Sequence, residues 1–141
     1  MTSTPTEHLG PKVGWIALRI VLAIEAIGGV WLLWNVVLGF FAANEDPLGD
    51  RVILLVAVLI MWGWVAATAW GAWKTRASWV RGSAITIHVL LFAMATGILQ
   101  GLLGPQTILG LELLVLALLG FVAAILARPT VPVVPGEDSR G

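Results

Sequence analysis

Four long apolar runs, each bounded by charged or turn-forming residues, constrain this chain more than any other feature. They extend from about residue 13 to 43, 52 to 73, 80 to 103 and 108 to 127. A helix needs about 20 apolar residues to cross a hydrocarbon core about 30 Å thick. Inside lipid the backbone must satisfy its own hydrogen bonds, so each spanning run is a helix. The pattern predicts an all-α chain whose residues 13–127 form a four-transmembrane-helix up-down bundle with short connections. The first run exceeds a level crossing, so it is expected to tilt, bend or project past the membrane, with Gly28-Gly29 as a candidate bend. It is about twice the 7–15 residues of a signal peptide's apolar region. Although FAA at 41–43 resembles a cleavage site, the run reads as a retained first span.

Composition narrows the function classes. Of 141 residues, 59% are hydrophobic and only 11% charged, against about 25% charged in a soluble domain. Eight Lys+Arg balance eight Asp+Glu, so no basic excess points to nucleic acid. The absence of cysteine removes disulfides, thiolate metal sites and cysteine nucleophiles together. Eight tryptophans and no tyrosine suit headgroup regions, where an apolar ring keeps its N–H wet. The flanks, residues 1–12 and 128–141, have little to bury and are expected to be disordered. Prolines at 129, 132 and 135 favour an extended, solvated tail over a docking motif.

Basic residues in short connections set orientation. Lys12 precedes the first run, and Arg128 follows the fourth. The connection KTRASWVR (74–81) carries Lys74, Arg76 and Arg81. NEDPLGDR (44–51) carries three acidic residues and Arg51, and GLLGPQ (101–106) carries no charge. Both termini and the second connection are therefore expected on the cytoplasmic side of a cell membrane, N-in/C-in. Trp15, Trp70, Trp73 and Trp79 fall at that same boundary.

Polar side chains within the runs carry what chemistry there is: Arg19, Glu25, Asn35, Thr68, Thr86, His88, Thr96, Gln100 and Glu112. At 1.5 Å rise per residue, Arg19 lies about 8 Å and Glu25 about 16 Å beyond Gly14. His88 lies about 12 Å beyond Val80 on the same side. Arg19 can snorkel to the near interface. Glu25 cannot, and a charge at mid-span costs about 2.5–3.5 kcal/mol. Its spacing to Arg19 puts the two about 120° apart around the helix, which is no natural pair. His88 matches it in depth, and Gly28 and Gly29 (i+3, i+4) let another helix approach the Glu25 face. A Glu25–His88 contact either fixes helix register or handles protons or a cationic ligand. Glu112, near the start of its helix, is expected to complement the N-terminal dipole behind a GPQT start. Asn35 lies in the outer half of the first span. Ala93, Gly97 and Gly101 repeat every four residues, a stripe that permits close helix contact within the bundle or between copies. MWGW (61–64) sets two tryptophans at mid-span, where they read as packing.

The stretch RASWVRGSAITIHVLLFAMATGILQG (76–101) resembles small four-span integral membrane proteins of actinobacteria with no assigned activity. Trp79 and Arg81 fit a basic loop of that kind, whereas Ser83 stands in place of a proline and His88 in place of a glutamine. ALRIVLAIEA (17–26) is similar too. The resemblance implies a bacterial four-span membrane protein and supplies no catalytic residues. Small multidrug-resistance exporters also share four spans and a first-span Glu near glycine, as in AIEAIGG (23–29). This chain departs from them in its charge bias, its Arg19 and its length. No metal-ligand spacing, nucleophile elbow or phosphate loop occurs, so no cofactor, metal or enzymatic activity is expected. The sequence thus points to a non-enzymatic structural or accessory membrane subunit, with the lipid bilayer, a further copy of itself or another membrane protein as partner. The alternative is a small proton-coupled transporter using Glu25.

Overall fold

The computed structural model describes residues 9–42, 46–101 and 105–128, and these form four helices. They are α1 (Leu9–Ala42), α2 (Leu48–Lys74), α3 (Ser78–Leu99) and α4 (Thr107–Leu126). All four are long and apolar enough to cross a membrane, as in a multi-pass integral membrane protein. The expected tails fall largely on residues 1–8 and 129–141, which lie outside the described residues.

Helix ends depart from the apolar runs for local reasons. α1 begins at Leu9, four residues before the run, and carries Pro11 in its first turn, where the missing N–H has no helical acceptor to lose. It then continues unbroken through Gly28-Gly29 for 34 residues, about 51 Å at 1.5 Å per residue. α2 begins directly after Pro47 and takes Asp50 into its first turn, where the helix dipole favours a carboxylate. α3 stops at Leu99 instead of running on to 103. There Gly101 adopts φ +84°, a left-handed position that glycine fills without cost. The Gln100 N–H donates to Thr96 O (3.0 Å) and the Gly101 N–H to Ile98 O (2.9 Å), closing the last turn.

Neighbours in the chain are neighbours in space. α1 packs on α2 and α4, and α3 packs on α4 and, over a shorter stretch, on α2. α1 and α3 face each other across the diagonal with no close backbone approach among the described residues. The shared core sits at the end where the described chain starts and finishes. There Trp15, Leu18 and Leu22 of α1 meet Ala69 and Ala72 of α2, Val80 and Ala84 of α3, and Ala123 and Ala124 of α4. Small residues create this closeness. A Cβ on Gly14 would lie 2.5 Å from the Ala127 nitrogen, and one on Gly71 2.5 Å from the Trp79 ring. Towards the opposite end, among the described residues, only the α3–α4 pair keeps buried ones, including Ala95, Ile98 and Gly110. In α1 beyond Leu22 and in α2 before Thr68, none of the described residues is buried.

Candidate functional site

Glu25 extends the buried face of α1, one turn beyond Val21 and Leu22. His88 lies on the buried face of α3 with Ala84 and Ile87. The two cross the diagonal to meet: His88 Nε2 is 3.1 Å from Glu25 Oε1, with the imidazole fully buried and the carboxylate side chain 7% exposed. The approach is at ion-pair distance but is not aligned as a hydrogen bond, and both carboxylate oxygens and Nε2 have no hydrogen-bond partner among the described residues. The other ring nitrogen, Nδ1, is 2.6 Å from the Ala84 carbonyl oxygen one turn back. Gly120 of α4 lies beneath the imidazole, whose atoms occupy the place a Cβ there would take. The ring is thus held from behind by α4, tethered to its own helix, and aimed at α1.

Around this pair, polar side chains reach for backbone carbonyls of neighbouring helices. The last four carbonyls of a helix lack helical partners and carry its negative dipole end. Arg19 donates from Nε to Ala72 O in the last turn of α2 (2.7 Å), with its guanidinium 5.7 Å from the centre of the Trp73 ring. Arg81 donates from Nε to Ala124 O in the last turn of α4 (3.0 Å). Arg51 donates from Nη1 to Phe40 O in the last turn of α1 (2.9 Å). Trp15 donates from Nε1 to Arg128 O (2.8 Å), tying α1 to the residues after α4. Trp62 donates from Nε1 to Ala26 O (3.0 Å) while its ring covers Gly29. Trp64 donates from Nε1 to Ser83 Oγ (2.7 Å), which also lies 2.7 Å from the buried Thr68 hydroxyl, joining α2 to α3.

The remaining candidates stand apart from the pair. Arg19 has a specific acceptor on α2. Glu112 is exposed, sits beyond the first turn of α4, and the Gln106 cap makes no side-chain capping bond. Asn35 is exposed, donates to its own helix at Trp31 O (2.7 Å), and borders an open groove of about 330 Å³ beside Arg51. Thr86 and Thr96 return their hydroxyls to carbonyls of their own helix. Of the two adjacent glycines only Gly29 packs closely, since a Cβ on Gly28 would meet nothing. Ala93 is exposed, Gly97 half-buried, and Gly101 ends α3, so the stripe makes no continuous contact inside this chain. Sequence reasoning passed over Gly14, Gly71, Gly110 and Gly120, and also Ser83 as a hydrogen-bonding residue. The signal for Gly120 was its depth, seven residues before the end of the fourth run and comparable to that of His88.

No protein-family model, curated protein or solved structure matches this chain. An imidazole and a carboxylate in contact can hold a proton, pass one, or neutralise each other to fix two helices in register.

Proposed function

We propose that this chain is a cell-membrane protein of the small four-span kind that it resembles. It has both termini in the cytoplasm and acts as a non-enzymatic structural or accessory subunit through helix contacts. The observation that carries this reading is how the interior polar side chains are used. Arg19, Arg81, Trp15 and Trp62 all donate to carbonyls contributed by other helices or, for Trp15, by Arg128 just past α4. Glu25 is enclosed against His88. The side chains with chemistry to offer are engaged in holding helices together. The orientation is supported by Lys12, Lys74, Arg76, Arg81 and Arg128, which sit at the core end, while Asp46 and Asp50 sit at the other. Extraction of native membranes in mild detergent tests the role. A particle larger than one chain is expected, and a monomer without companions would count against it. A non-permeant label on intact cells tests the orientation, with neither terminus reacting from outside.

A second reading has its own observation. Both oxygens of Glu25 lack a hydrogen-bond partner among the described residues, and the side chain retains 7% exposure, so the carboxylate is not locked. That fits a small proton-coupled transporter. Purified protein in liposomes would then show substrate-driven proton flux that Glu25→Gln abolishes.

A further inference from the structure

We propose that Glu25 and His88 together bind a single proton, carried on either Oε1 or Nε2, where the two side chains meet across the diagonal of the bundle. Nδ1 lies 2.6 Å from the Ala84 carbonyl oxygen. A carbonyl only accepts, so Nδ1 carries a hydrogen. Nε2 is then either a bare lone pair or the second N–H of an imidazolium. It faces Glu25 Oε1 at 3.1 Å with the ring fully buried. A bare Nε2 beside an ionised carboxylate would set lone pair against lone pair, and would leave a negative charge without a partner away from water. One proton removes both faults. It sits either on the carboxyl group, facing a neutral imidazole, or on Nε2, facing a carboxylate. A second proton would place an imidazolium against a neutral acid, an unpaired positive charge in the same enclosure. The geometry therefore sets the occupancy at one.

The fold defends this arrangement. Gly120 lets the imidazole sit against α4, so the ring cannot withdraw from α1 by rotating into a side-chain gap. Other charged groups on the packed helices have partners of their own or are exposed. On α1 Arg19 is bonded to Ala72 O, and on α3 Arg81 is bonded to Ala124 O. On α2 Lys74 stands 4.9 Å from the centre of the Trp70 ring, and on α4 Glu112 is exposed. The inference goes beyond the helix-contact reading and does not depend on it, because a subunit and a transporter would both carry this proton.

Proton release on unfolding tests it. Full-length protein in detergent is unfolded in weakly buffered solution at about pH 8, above the ordinary values of about 4.3 for Glu and 6.5 for His. An indicator dye counts the protons released. Wild type is expected to release one proton per chain more than Glu25→Gln. In that variant the amide N–H donates to Nε2, so the bridge needs no titrating proton. Equal release from the two proteins would overturn the proposal. A measurement on wild type alone guards against a variant that fails to fold. The ¹⁵N spectrum of the His88 imidazole is expected to show a protonated Nδ1, with Nε2 shifted by a shared or transferred proton. A bare Nδ1, or an Nε2 with the shift of a free lone pair, would equally overturn it.

Discussion

The two ends of the bundle are built from similarly apolar text and pack differently. At the core end all four helices contribute buried residues, and most of these are alanine or glycine with Trp15, Leu18 and Leu22 set among them. At the other end α1 and α2 present Trp31, Trp34, Ile53 and Ile60 outward, each more than half exposed. In lipid, hydrophobicity gives helices no reason to prefer each other over acyl chains, so close fit and interhelical hydrogen bonds decide where they meet. The core end has both devices, small residues and donors reaching foreign carbonyls. The other end of α1–α2 has fewer, chiefly Trp62 over Gly29 and Arg51 on Phe40. Hydropathy alone does not separate the ends, whereas residue size does.

The strongest attempt to break this contrast is Gly120→Leu. A side chain at 120 claims the volume of the His88 imidazole. Overpacking of this kind costs about 3 kcal/mol or more, and unfolding in detergent followed by circular dichroism is expected to show a large fall in stability. Gly28→Leu is the matched control, where a Cβ meets nothing, and a change within about 0.5 kcal/mol is expected. Similar losses from both would erase the distinction.

The arginines sharpen it further. Arg19→Ala frees the carbonyl of Ala72, which is fully buried, and is expected to cost about 2 kcal/mol. Arg51→Ala frees the Phe40 carbonyl at the more open end and is expected to cost less, in the same unfolding assay. Trp62→Phe keeps the ring bulk against Gly29 and removes only the bond to Ala26 O. About 0.6 kcal/mol is expected, the usual size of an interhelical hydrogen bond in a membrane bundle. Ala93→Leu should leave monomer stability unchanged within about 0.5 kcal/mol, because the residue is exposed. Sizing of the same variant in mild detergent shows whether that face meets a second chain.

Hydropathy made the four helices legible, since lipid permits little else. It marked their ends less well. Asp50 and Arg51 close an apolar run yet are helical, because a helix end tolerates charge that a hydrocarbon core does not. The meeting of Glu25 and His88 was readable from depth, because residues on different spans share a coordinate along the membrane normal. Rotation about each helix was not readable to the same degree. Gly28 and Gly29 are adjacent in sequence and 100° apart on the helix, and only one faces α2. The stripe from Ala93 to Gly101 is interrupted within this chain, its last member being spent on terminating α3. Gly120 gave no local motif, since its significance lies in a ring brought from another helix.

The bond from Trp15 to Arg128 O, and the contact of Gly14 with Leu126 and Ala127, join the earliest helical turns to the latest. During synthesis α1 and α2 can dock as a pair through Trp62 and Arg51 while the ribosome is still adding α3. The face of α1 holding Gly14, Trp15 and Leu18 then waits for about 100 residues of translation before α4 arrives to cover it, which is several seconds at ordinary elongation rates. Sealing of the bundle consequently waits for α4, the last of the four helices in chain order.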